Sequence, residues 1–173
     1  MAFSPLDREP DGVVRCFVAL GANLGPAGET LEAELARIDA LPKTRVTARS
    51  SFYATEPVDS SGPDYTNAVI ELETGLSARD LLHRLQAIET AFGRVRPVGV
   101  INAPRTLDLD VLMYGEVTSD EKELCLPHPR MHLRAFVLVP LIEIDPHVSI
   151  PGLGRAETFL AATADQRIER LIE

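Results

Sequence analysis

The chain has no tryptophan, and only 5% of its 173 residues are aromatic, so any aromatic beside a polar group stands out. It has two cysteines, Cys16 and Cys125, without metal-ligand spacing. That excludes a disulfide framework and predicts a reducing, cytoplasmic setting. No run approaches the ~18 consecutive apolar residues of a membrane span. The opening "MAFSPLDREPDGVV" is too polar and acidic for a secretory signal. Basic residues number 17 against 26 acidic, a net charge of -9. Such a balance argues against general nucleic-acid or anionic-membrane binding, yet a few local arginines can still hold a phosphate ligand. Internal repeats, low-complexity tracts and linkers are also missing. The length suits one domain with a real core, expected over 13–173 behind a loose, flexible tail at 1–12.

What is present alternates between strand and helix patterns. Residues 13–20 ("VVRCFVAL") read as a strand, and "GANLG" at 21–25 as a tight strand-to-helix turn. Those glycines match neither G-x-x-x-x-G-K-[ST] nor G-x-G-x-x-G, so a phosphate loop is not indicated. Leu31, Leu35, Ile38 and Leu41 recur at helical spacing before Pro42. Strands are predicted at 46–53 and 66–74, then a helix capped by Ser77 and running through Phe92, with Leu81, Leu85 and Ile88 inward. A further strand carries "LDLDVLM". The order β-α-β-β-α-β is that of a ferredoxin-like α+β sandwich with a mainly antiparallel sheet. Beyond it, "LRAFVLVPLIEIDP" reads as mixed turn and helix, and 155–172 as a terminal helix. The long segments 54–63 and 94–104 exceed ordinary connections and read as lids over a site.

The chemistry concentrates in "APRTLDLDVLMYG", residues 103–115. Asp108 and Asp110 lie two apart in an apolar strand and so share a face. Adjacent like charges call for a cation between them. Two hard oxygen donors suit magnesium, whose other positions go to water and substrate phosphates. The plainer alternative is one aspartate ending the strand and one pairing with Arg105. Arg94, Arg96 and Arg105 bracket the preceding segment, and Arg130 and Arg134 follow "LPHP". Guanidinium groups of this kind bind phosphate oxygens, or serve simply as surface cations. His128, between two prolines, can donate to a phosphate oxygen or fill a structural role. Tyr65 and Asn67 share a strand face, pairing a stacking surface with an amide suited to a heterocycle; with Phe136 they equally fit ordinary packing. No Ser-His-Asp constellation can be assembled.

Five segments, "VALGANLG", "SSFYATEPV" with "PDYTNAVIELET", "GRVR", "APRTLDLDVLMYG" and "LPHPRMHLRAFVLVPL", occur in an order that resembles the 6-hydroxymethyl-7,8-dihydropterin pyrophosphokinases of folate synthesis. The resemblance spans about 14–146. It implies transfer of diphosphate from ATP to the pterin hydroxymethyl group, with AMP as second product. It also implies two Mg2+ ions on Asp108 and Asp110, and phosphate contacts from Arg94 and Arg105. His128, Arg134, Gln86, Glu89 and Val111 would line the ATP side. The pterin would stack between Tyr65 and Phe136, with Asn67 on its edge and Thr55 and Val58 lining the pocket. A monomer acting on these two small molecules is expected, with no nucleic-acid or membrane partner. The chain departs from the family at Ile101, Asn102 and Ala103, where a tryptophan-bearing R-W-G can stand. Pro129 replaces a tyrosine, and Glu56 a second proline. Two rival readings remain: a non-catalytic pterin or nucleotide module, and a metal-dependent nucleotidyl transferase that would release pyrophosphate instead.

Overall fold

The computed structural model describes residues 3–23, 27–56, 64–92 and 108–171. Its elements are β1 (Val14–Ala22), α1 (Ala27–Asp39), β2 (Thr44–Arg49), β3 (Tyr53–Thr55), β4 (Tyr65–Thr74), α2 (Ala78–Ala91) and β5 (Asp108–Tyr114). A short hairpin, β6 (Ser119–Asp120) and β7 (Cys125–Leu126), leads to α3 (Ala135–Ile144). A second hairpin, β8 (Ser149–Ile150) and β9 (Gly154–Arg155), precedes β10 (Ile168–Arg170). The main sheet runs β10-β3-β4-β1-β5, with β2 also on β4, and every pairing is antiparallel. With helices on both faces, this is the expected ferredoxin-like α+β sandwich.

The apolar pattern of β1 explains its central place. Cys16, Val18, Leu20 and Ala22 enter one core with Leu31, Leu35 and Ile38 of α1 and Leu81, Leu85 and Ile88 of α2. Phe17 enters the opposite core with Val137, Leu138 and Leu141 of α3, and Ala19 packs against it. A strand buried on both faces has no polar side, hence the continuous apolar run. The β1–β5 ladder changes register once. Phe17 pairs with Met113 but Val18 with Val111, which leaves Leu112 as an extra residue. Leu112 and Met113 both lie in the α3-side core. At α2, Ser77 Oγ accepts from Asp80 N at 3.1 Å and fixes the helix start.

Several expectations are corrected. The tail at 1–12 is not loose from Ser4 to Asp7. Pro5–Asp7 make a 3-10 turn, Leu6 is wholly buried in the core under α1 and α2 (the helix-side core), and Asp7 pairs with Arg79 at 2.6 Å. The strand expected at 46–53 is two strands. Ser50 breaks it by turning its hydroxyl to accept from Val69 N, and Ser51 then donates from N and Oγ to Glu143. The strand expected to end at Leu20 continues through Gly21 and Ala22. The terminal helix expected at 155–172 is instead two 3-10 turns, Ala156–Phe159 and Ala161–Thr163, followed by β10 on the edge of β3. Gln166 anchors that path, accepting from Ala135 N and donating to Leu133 O, each at 2.8 Å. Among the described residues no helix is long and apolar enough to cross a membrane.

Candidate active site

One end of the α3-side sheet face gathers most of the polar candidates. Pairing sets their sides, since residues opposite each other in a ladder share a face. Gly21 stands opposite Asn67 on β4 and opposite Asp108 on β5, and Ala19 opposite Asp110. Asp108 and Asp110 therefore share the face of Asn67, with Gly21 between. Neighbouring strands are about 4.8 Å apart, so the Asn67 and Asp108 backbones stand about 10 Å from each other. Asp108 is half-buried and Asp110 exposed. Thr55 pairs with Tyr65, which places both on this face as well.

Asn67 and Thr55 are buried, and Asn67 Nδ2 donates to Thr55 Oγ1 at 2.5 Å. Asn67 Oδ1 lies against Gly21, where a Cβ would meet it at 2.9 Å and Tyr65 Cδ1 at 3.8 Å. A side chain at this point would force the buried Asn67 amide to shift. Tyr65 is half-buried beside them, and so is Phe136 in the first turn of α3. Arg134, just before that helix, lays its guanidinium over the Phe136 ring at 5.3 Å.

His128 lies on the aspartate side. Its backbone N donates to Leu112 O at 2.8 Å, fastening the segment to β5 at the extra residue. Its Nδ1 accepts from Arg130 N at 3.1 Å, so the proton of the neutral ring sits on Nε2. Burial pushes His128 below the ordinary histidine range; Asp110 opposes this, while Arg134 and Arg130 add to it. Burial also lowers Arg134, against the pull of Asp110 and Asp108. His128, the two arginines and the two carboxylates thus share one field. A neutral Nε2–H donor and a guanidinium beside oxygen donors suit a polyphosphate.

Glu89 reaches the aspartate strand from α2. It is buried, and its Oε2 accepts from Leu109 N at 2.8 Å, fixing the backbone between the two aspartates. Gln86, one turn earlier, is exposed. Val111 does not join the group, because its side chain lies in the helix-side core, opposite the aspartates. Glu34 of α1 is wholly buried, and neither of its oxygens has a hydrogen-bond partner among the described residues. Burial first, then Glu89 and Asp108, push its carboxyl up to about 9. Arg94, Arg105 and Val58 lie outside the described residues, as do most of the two expected lids.

Sequence reasoning missed Gly21, Glu34 and Gln166 as parts of this region. Only Gly21 carried a signal, as a glycine at the end of an apolar strand, where close backbone approach is a common cause. For the metal, the donor set is the test. Among the described residues no three acidic, histidine or cysteine side chains are grouped to hold an ion. Two carboxylates on one strand fit magnesium nonetheless, which commonly takes one or two protein carboxylates plus phosphates and water.

Comparison with known proteins follows the same lines. Residues 17–146 match the family described as 7,8-dihydro-6-hydroxymethylpterin-pyrophosphokinase. The 2-amino-4-hydroxy-6-hydroxymethyldihydropteridine pyrophosphokinase of Pseudomonas aeruginosa is 42% identical over 160 residues, 92% of this chain and 98% of that one. Its counterpart from Haemophilus influenzae is 39% identical, over 92% of this chain and 99% of its own. Among solved structures, the wild-type HPPK-DHPS of Plasmodium falciparum with SDX-DHP superposes at a TM-score of 0.71. It is 12% identical and shares the fold, and this chain covers 46% of that longer one. Family match, near-complete coverage of curated relatives and fold agree, and the chain belongs to the 7,8-dihydro-6-hydroxymethylpterin-pyrophosphokinase family.

Proposed function

We propose that the chain transfers diphosphate from ATP to the hydroxymethyl group of 6-hydroxymethyl-7,8-dihydropterin, a step of folate biosynthesis. The observation that carries this reading is the shared sheet face. A buried amide–hydroxyl pair with a flanking tyrosine lies about two strand spacings from two carboxylates, with Gly21 between them. That separation suits a flat heterocycle at one end and a metal-bound polyphosphate at the other.

In this reading Tyr65 and Phe136 hold the pterin ring, Asn67 bonds its edge, and Thr55 and Val58 line the pocket. The hydroxymethyl oxygen forms a bond to the β-phosphorus of ATP as the bond from that phosphorus to the α–β bridging oxygen breaks. AMP leaves, and the alcohol proton passes to solvent. Asp108 and Asp110 would hold magnesium, two ions being expected, which neutralises phosphate charge when bound. His128 donates from Nε2 to a phosphate oxygen, and Arg134, Arg94 and Arg105 supply positive charge. Gln86, Glu89 and the backbone at Val111 border the nucleotide. Positioning and charge stabilisation suffice for a loose phosphoryl-transfer transition state, so no strong general base is needed. A single catalytic domain over 13–173, acting as a cytoplasmic monomer, completes the reading.

The test incubates the protein with magnesium, ATP and the pterin and assays AMP beside Asp110→Ala. Pterin-dependent AMP, reduced at least about a hundredfold in the variant, is expected. Pyrophosphate in place of AMP would make the enzyme a nucleotidyl transferase. Tight pterin binding without either product would leave a binding module.

A further inference from the structure

The last strand, β10, starts beside the proposed pterin pocket, and its approach carries a charge pattern the proposed chemistry does not use. Ile168 of β10 pairs with Thr55 of β3, and Thr55 pairs with Tyr65 of β4. Both ladders end there; extended by one step, their registers would set Arg167 opposite Glu56 and Glu56 opposite Asp64. Arg167 donates from Nη1 to Glu56 Oε1 at 2.9 Å. Glu56, then Asp64 and more weakly Glu169, raise the proton affinity of the guanidinium. Glu56 and Asp64 border the segment 57–63, which lies outside the described residues.

Two carboxylates directly across neighbouring strands repel, and such like-charge pairs weaken a ladder. Here the repulsion would act on the final rung, Thr55 with Tyr65. Thr55 is the acceptor that orients the Asn67 amide. Loosening that rung therefore reaches the pterin-facing amide through a single hydrogen bond, while β5 and its aspartates lie two strands away. Among the described cations, Arg167 is the one bonded to Glu56.

We propose that Arg167 is a positioning residue for the pterin pocket: it neutralises the Glu56–Asp64 repulsion and keeps Thr55 and Tyr65 paired. The proposal rests on the pyrophosphokinase reading for its substrate and on the register alone for its mechanics. Because the ion pair is exposed, a modest effect follows, confined to pterin affinity and sensitive to salt.

The experiment compares wild type, Arg167→Ala, Arg167→Lys and the double variant Arg167→Ala with Glu56→Gln. Initial rates are taken against pterin at saturating ATP and against ATP at saturating pterin. Arg167→Ala should raise the pterin KM about two- to fivefold with kcat and the ATP KM unchanged. Lysine should restore most of the loss, and so should the double variant, in which the repulsion is gone. An unchanged pterin KM, an equal rise in both KM values, or a double variant as poor as Arg167→Ala would overturn the proposal. Amide exchange at Thr55 and Tyr65, followed by NMR, serves as a readout independent of turnover. It should quicken in Arg167→Ala and slow again in the double variant, and unchanged exchange counts against the proposal. A wild type that makes no AMP would sink the enzymatic reading, while the exchange rates would still decide the role of Arg167.

Discussion

Gly21 is the residue on which the two halves of the site converge. It leaves room for Asn67 Oδ1, which a methyl group would approach to 2.9 Å. Contacts that close force the neighbour to move, and Asn67 is buried and already committed to Thr55. Gly21→Ala should therefore raise the pterin KM about tenfold, in line with the cost of overpacking a filled site, and change the ATP KM much less. Steady-state kinetics against each substrate checks this, and equal effects on both would show that the strand as a whole had shifted. Gly21 was hard to read in the sequence because "GANLG" has the composition of a turn. Only the pairing of β1 with two strands at once reveals that its missing side chain is space for a neighbour's amide.

At the scale of elements, the N-terminal turn, α2 and the β6–β7 hairpin are tied together by Arg79. Its guanidinium meets Asp7, Glu121 and Glu123 at 2.6, 2.9 and 2.7 Å. Leu6 fills the helix-side core beneath it. Leu6→Ala should cost about 2–4 kcal/mol, read by urea unfolding, with the rate per folded molecule little changed. A negligible loss would mean that the turn merely rests on the surface. Periodicity could not reveal this element, since one buried leucine in a polar stretch makes no pattern. Nor could it reveal β10, whose three residues are too few to show alternation. By contrast, α1, α2, β1, β4 and β5 were legible because each carries a long apolar stripe. The aspartate pair and the Tyr65–Asn67 pair were legible too, since strand alternation alone fixes which residues share a side.

Across the whole molecule, Glu34 sets a pH slope. The unfolded chain ionises this group near its ordinary value of 4.5, whereas the folded chain keeps the proton up to about 9. Between those values the unfolded state binds fewer protons, so stability falls as pH rises through the window. Glu32, Glu143 and Asp145, held below their ordinary values by hydrogen bonds and arginines, act the other way and lose their contribution only as acid protonates them. Glu34→Gln should flatten the slope, giving a Tm at pH 8 several degrees above that of the wild type and little difference at pH 5. Parallel melting curves at the two pH values would refute the linkage. The extra residue in β5 has a consequence of another kind. Counted back from Tyr114, which faces the helix-side core, strict alternation would bury Asp110 and Asp108 among leucines. Leu112 inverts the phase of the strand halfway along, so that its later half is interior on both faces while its earlier half buries Leu109 and Val111 and turns the two aspartates outward. Residues 109–113 can thus exchange one apolar side chain for another, but cannot gain or lose a position without turning the site inside out.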